Sequence, residues 1–115
     1  MPDYPHEAQP TDALLRRLFE TAGAVPLSFE MFPPRSADGR ADLAETCERL
    51  AGVASDGFSV TMGAGGTTRT GTHQTAVEIA RVTDRPVRAH LTALGLSHEE
   101  ALEAGERFWE DGITR

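Results

Sequence analysis

The chain has 115 residues, enough for one modest domain, and its 39% hydrophobic and 25% charged content is that of ordinary globular proteins. Its net charge of −7 argues against non-specific nucleic-acid binding, which depends on basic surfaces. No apolar run approaches the roughly 20 residues of a membrane helix, and the polar start MPDYPHEAQP does not resemble a signal peptide. We therefore expect a cytoplasmic protein with a flexible leader over residues 1–10 and one domain over residues 11–115.

Hydrophobic periodicity predicts that strands and helices alternate along the chain after a first helix over residues 11–22. Apolar and polar residues alternate, as in strands, over residues 27–32, 58–62 and 87–93. Apolar residues recur at helical spacing over residues 40–54, 72–82 and 97–112. Residues 113–115 are predicted to begin a fourth strand. Each strand–helix unit takes about 30 residues, the size of a βα repeat, which predicts a parallel sheet covered by helices.

Each predicted strand has one apolar face and one polar face. The polar faces carry Ser28 and Glu30, then Ser59 and Thr61, then Arg88, His90 and Thr92. Strands of an open sheet covered on both sides are apolar throughout, whereas a (β/α)8 barrel turns one face of each strand to its lumen. The pattern favours an incomplete portion of such a barrel, about three units plus a leader helix. Glu30 would then lie in a polar lumen with Ser28, Thr61 and His90 as neighbours.

Simpler interpretations of the same residues stay open. Glu30 can be a solvated residue of an amphipathic strand, and His90 can be structural. The glycine-rich loop GAGG, residues 63–66, suits an anion or a flat ring lying against the backbone, but it lacks a dinucleotide fingerprint and can be a flexible turn. The four histidines lack metal-ligand spacing, so no metal site is expected. Cys47 lies on the apolar face of a predicted helix and is expected to pack in the core.

Three motifs resemble successive motifs of the methylenetetrahydrofolate reductase family, in the family's order and spacing. They are SFEMFPPR at 28–35, SVTMGAGGTTR at 59–69 and AHLTALG at 89–95, and the resemblance covers roughly residues 25–115. It implies a flavin-containing oxidoreductase built on a (β/α)8 barrel. Such an enzyme passes a hydride from NAD(P)H through FAD to 5,10-methylenetetrahydrofolate and forms 5-methyltetrahydrofolate, a step of one-carbon metabolism and methionine biosynthesis.

The resemblance also implies roles for individual residues. Glu30 matches the family's catalytic glutamate, a general acid that helps to open the five-membered ring of the folate. A carboxylic acid in a partly apolar pocket has a raised pKa and can carry such a proton near neutrality. Thr61 matches a threonine beside the flavin and the nicotinamide. The other implied FAD contacts are the His90 side chain and the loop backbone at Met62, Ala64 and Gly65.

The chain departs from the family pattern in three respects. Position 62 is commonly aromatic in the family, and Thr70 and Gly71 stand where an acidic–basic pair is usual. The family's next strand, which supplies an aspartate near the flavin, is not among these residues. The chain is thus predicted to be the truncated N-terminal part of such an enzyme, or a non-catalytic fragment or half-barrel subunit that needs a second chain to complete the barrel. Its expected protein partner is a complementing chain or, in a homo-oligomer, another copy of itself. An unrelated βα binding module is the third possibility.

Overall fold

Three parallel strands form one sheet in which neighbours in sequence are also neighbours in space. The computed structural model describes residues 10–21 and 25–115. The strands are β1 (Phe29–Met31), β2 (Phe58–Val60) and β3 (Val87–Ala89). The helices are α1 (Pro10–Thr21), α2 (Ala37–Leu50), α3 (Arg69–Thr83) and α4 (His98–Glu110), and a 3-10 turn covers Ala64–Gly66. The predicted leader falls almost wholly outside the described residues, as does residue 22, the last residue of the predicted first helix.

The parallel sheet and its helices confirm the α/β class, although three strands do not make a closed barrel. The register pairs Phe29 with Phe58, and Phe58 with Val87, so equivalent residues of the repeats stand side by side. At the far edge, the Ala89 amide donates a hydrogen bond to the Arg115 carbonyl at 3.1 Å. The chain end therefore lies beside β3, where the start of a fourth strand was predicted.

The predicted strands are longer than the observed ones. Each ladder continues for one hydrogen bond past the strand end: Thr61 N–H donates to the Met31 carbonyl at 3.0 Å, and His90 N–H to the Val60 carbonyl at 2.9 Å. The chain then leaves the sheet, because the loops that follow bond to α3 instead. Leu91 and Ala93, which the alternation placed on the apolar face of the third strand, are therefore exposed.

The apolar face of the sheet packs against the helices, as the alternation predicts. Phe58 and Val60 are fully buried, and Val87 is nearly so. Their partners in the core come from α2 and the loop after it, from α3, from α4 and from the chain end: Cys47, Ala54, Ala76, Ile79, Phe108 and Ile113. The core therefore lies on one side of the sheet and leaves the other side for the polar residues.

Two helices begin earlier than periodicity predicts, because capping and turn residues carry no hydrophobic signal. Helix α2 begins at Ala37, since the Ser36 hydroxyl accepts a hydrogen bond from the Gly39 amide at 3.0 Å. Helix α3 begins at Arg69, three residues before the predicted start. Helix α4 begins as predicted, with Ser97 and Glu100 forming a capping box. Among the described residues, every helix is too short or too polar to cross a bilayer.

Candidate functional site

Glu30 and His90 meet on the polar face of the sheet although β2 separates their strands. Glu30 Oε1 lies 3.7 Å from His90 Nε2. On β2, Ser59 pairs with Glu30 and with Arg88, so His90 stands two residues further along its strand than the position level with Glu30. A carboxylate and a protonated imidazole at this separation form an ion pair.

The polar face is open, contrary to the enclosed lumen that was expected. The side chains of Glu30 and His90 are 53% and 49% exposed. The two groups thus lie side by side, and no cavity closes over them within the described residues 10–21 and 25–115. An enclosed lumen requires further strands, because a barrel interior forms only when the sheet closes on itself.

The glycine-rich loop follows β2 at the same end of the sheet. Gly65 has a positive φ of 65°, and a Cβ added there would meet nothing within 4 Å, so the outer side of the loop is open. Gly66 has a φ of 80°, and a Cβ there would come within 2.2 Å of the Arg69 guanidinium. Ala64 is exposed. A planar ligand can therefore approach the backbone at Ala64 and Gly65 without displacing a side chain.

A threonine network anchors this loop from beneath; it consists of the hydroxyls of Thr68 and Thr72 with their backbone partners. The Gly63 amide donates to Thr68 Oγ1 at 2.8 Å, and Thr68 Oγ1 lies 3.0 Å from Thr72 Oγ1. Thr72 Oγ1 donates to the Thr61 carbonyl at 2.8 Å. The network therefore connects α3 to both ends of the segment 61–63.

Arg69 joins the loop after β2 to the loop after β3. Its guanidinium donates to the carbonyls of Thr92 and Leu94, the latter at 3.0 Å. Met62 Sδ accepts from the Thr92 amide at 3.3 Å and lies 3.6 Å from Arg69 Nη1. The side chain of Met62 thus contributes to this inter-loop contact, so only its backbone remains available for the predicted flavin contact.

Two grooves lie on the helical side of the sheet, away from Glu30 and His90. One, of about 330 Å³, runs between α3 and α4, where the His73 ring stacks on Phe108 at a centroid distance of 4.6 Å. His73 also hydrogen-bonds to Asp111, which ties α3 to the end of α4. The other groove, of about 390 Å³, runs between α2 and α3. Neither groove is lined by a predicted site residue other than Met62.

Sequence reasoning found the polar face but missed Arg69, Thr68 and Thr72 as structural residues. Arg69 ends the second quoted motif, which was a usable signal for its importance. The two threonines gave no signal, because a threonine at a helix start is ordinary and its hydrogen-bond partners depend on the tertiary fold.

The comparison with known proteins decides the family. The sequence profile described as methylenetetrahydrofolate reductase matches residues 14–115. The chain belongs to the methylenetetrahydrofolate reductase family. The 5,10-methylenetetrahydrofolate reductase of Pectobacterium carotovorum subsp. carotovorum is 35% identical over 106 residues, which are 92% of this chain and 36% of that protein. The protein of the same name from Escherichia coli strain K12 is 32% identical over the same shares.

A plant relative agrees with these bacterial ones. Methylenetetrahydrofolate reductase (NADH) 1 of Arabidopsis thaliana is 33% identical over 91 residues, 79% of this chain and 15% of that protein. The chain thus spans just over a third of the bacterial methylenetetrahydrofolate reductases it matches. Family membership confirms the resemblance of the three motifs. Their residue Glu30 lies in the middle of β1, and Thr61 and His90 lie just beyond the ends of β2 and β3.

Proposed function

We propose that this chain provides the N-terminal strands of a flavin-dependent methylenetetrahydrofolate reductase of the cytoplasm. Such an enzyme reduces 5,10-methylenetetrahydrofolate to 5-methyltetrahydrofolate with NAD(P)H. The observation that carries the proposal is the 3.7 Å approach of Glu30 and His90 on one polar face, in a chain that belongs to this family. Ligands of parallel α/β folds bind at the carboxyl ends of the strands. His90 directly follows β3, and Glu30 lies one residue before the end of β1.

The residues at this end of the sheet fit FAD. The open backbone at Ala64 and Gly65 suits a flat ring system, and the Thr61 hydroxyl and His90 imidazole supply hydrogen-bonding groups on neighbouring strands. Met62 would contribute through its backbone. A flavin held by these residues would supply the hydride transfer between the nicotinamide and the folate.

Glu30 would act as the general acid of the folate half-reaction. Its carboxyl group donates a proton to a nitrogen of the five-membered folate ring, and the carbon–nitrogen bond at the bridging methylene breaks. The methylene carbon becomes the carbon of an iminium ion. Addition of the hydride to this carbon converts it to a methyl group. Glu30 is left as a carboxylate and regains its proton from solvent, to which its side chain is 53% exposed here.

The substitution Glu30→Gln tests this role, because glutamine preserves the shape of the side chain but carries no acidic proton. We expect folate reduction to fall by about a thousandfold, within the usual range for loss of a general acid, while oxidation of NAD(P)H by an artificial acceptor persists. The exposed Glu45 of α2 provides the control Glu45→Gln, which should leave both rates unchanged. Equal loss of both activities in Glu30→Gln would contradict an acid role.

The open polar face supports a second candidate, a half-barrel subunit that is completed by a second chain. On this hypothesis the purified protein is colourless with FAD and turns yellow when a polypeptide bearing the remaining strands is added. A yellow protein in the absence of any such polypeptide would exclude it. The kinetic comparison of Glu30→Gln is then made on the completed complex.

A further inference from the structure

We propose that Thr72 is a positioning residue that fixes the segment 61–63 through the threonine network. Its consequence for the cofactor rests on the proposed function, since this segment carries the expected flavin contacts of Thr61 and Met62. Thr72 itself belongs to α3, behind the segment as seen from the open side of the loop, and is fully buried. It therefore acts on the site only through the atoms it bonds.

The hydrogen bonds of the threonine network can run in only one direction. The carbonyl of Thr61 is an acceptor, so the single hydroxyl proton of Thr72 is used there. Thr68 must then donate its own proton to Thr72 Oγ1, because the Thr72 proton is already engaged. This leaves Thr68 Oγ1 to accept from the Gly63 amide, which is the observed contact. Every donor thus has one acceptor.

This order makes both ends of the segment dependent on one buried hydroxyl. At one end Thr72 orients the Thr61 carbonyl directly, and at the other it orients the Thr68 hydroxyl that bonds to Gly63. Water cannot replace the hydroxyl, because Thr72 has no exposed surface. A substitution that removes it takes away the hydrogen-bond partner of the part-buried Thr61 carbonyl and of the Thr68 hydroxyl, which destabilises the loop locally.

Thr83 provides a matched control at the opposite end of α3. Its buried hydroxyl also makes two hydrogen bonds, donating to the Ile79 carbonyl at 2.6 Å and accepting from the Arg85 amide at 3.2 Å. Thr83→Val therefore removes the same group from the same helix without touching the segment 61–63. Thr72→Ser is the conservative rescue, since serine keeps the hydroxyl.

Amide hydrogen exchange at Gly63, measured by NMR on the full chain, is the direct test. In Thr72→Val the amide should exchange at least about tenfold faster than in the wild type, because its acceptor is no longer fixed. Thr83→Val should leave Gly63 exchange unchanged, and Thr72→Ser should restore it. Should Thr72→Val fail to fold, Thr68→Val removes the middle hydroxyl at a half-buried position and should give the same acceleration.

Binding of FAD to the same variants, measured by fluorescence titration, tests the consequence for the site. We expect Kd to rise about tenfold in Thr72→Val and to stay near the wild-type value in Thr83→Val and Thr72→Ser. Unchanged Gly63 exchange in Thr72→Val and Thr68→Val, or failed rescue by serine, overturns the role of the network. Faster exchange with unchanged FAD affinity overturns its role in cofactor binding. If the wild type binds no FAD, either alone or with a polypeptide bearing the remaining strands, the proposed function fails, and the exchange of Gly63 then decides the role of Thr72.

Discussion

Glu30 and His90 can meet because the residues between them are small. Strands lie about 4.8 Å apart, so side chains from β1 and β3 must bridge roughly 10 Å. A glutamate and a histidine are long enough to lean over β2, and Ser59 and Thr61 leave that space free. The small side chains of the middle strand thus allow Glu30 and His90 to approach each other, in addition to any contact made by the Thr61 hydroxyl.

Cys47 gives a prediction at the residue scale that does not depend on function. Burial raises the pKa of its thiol from 9.0 to about 11. At pH 8.5 the folded protein should react with iodoacetamide about a hundredfold more slowly than the unfolded protein, because the thiolate is the nucleophile. Mass spectrometry of samples with and without urea measures the difference, and equal rates would refute it.

The same raised pKa fixes the sign of a pH effect. A group that binds its proton more tightly when folded stabilises the fold below the unfolded pKa. The contribution of Cys47 is therefore fully present below about pH 9 and is lost as the pH rises toward 11. Cys47→Ala should remove this part of the alkaline decline in the free energy of unfolding.

At the scale of elements, α3 organises both loops at the candidate site. Arg69 and Thr72 stand three residues apart and so share one face of the helix. Arg69 contacts the loop after β3, and Thr72 contacts the segment after β2. The first turn of α3 is therefore the common support of the two loops.

The substitution Arg69→Gln tests this support. It removes the hydrogen bonds to the Thr92 and Leu94 carbonyls, and we expect a loss of about 1–3 kcal/mol in the free energy of unfolding, measured in urea by circular dichroism. Arg81→Gln is the control on the same helix, because the exposed Arg81 side chain hydrogen-bonds to the half-buried Glu78 at the helix surface and contacts neither loop. Its unfolding midpoint should remain at the wild-type value. A midpoint lowered equally by both substitutions would contradict the role of Arg69.

The strand ends show where prediction from sequence failed at this scale. Alternation correctly assigned the faces of residues 29–31, 58–60 and 87–89, because that signal follows directly from burial. It could not show where the ladder stops. The third strand ends at Ala89 because Arg69 draws the carbonyls of Thr92 and Leu94 out of the sheet, a contact made across 20 or more positions of sequence.

For the whole molecule, the class of fold was predictable and the closure of the polar face was not. The repeating units and their single apolar face determine a parallel sheet with helices on one side. Enclosure of Glu30 depends on strands that these residues do not contain. Composition and periodicity therefore identify the surface of the candidate site but not its degree of burial.

Helix α4 allows a test of the overall packing with two adjacent aromatic residues. Phe108 is 7% exposed and stacks on His73, whereas Trp109 is 67% exposed. Phe108→Ala should lower the free energy of unfolding by about 3–5 kcal/mol, because it leaves a cavity in the core. Trp109→Ala should change it little. Thermal or urea unfolding followed by circular dichroism compares the two, and a larger loss for Trp109 would show that α4 packs by a different face.

The sequential order of the strands has a consequence for how the protein forms during translation. Each strand pairs with one about 30 residues earlier, and the Arg115 carbonyl continues the series at the same edge. The sheet can therefore grow by single additions as the nascent polypeptide leaves the ribosome, with no wait for a distant pairing partner. Glu30 and His90 are brought together as soon as the third strand, β3, has joined the sheet.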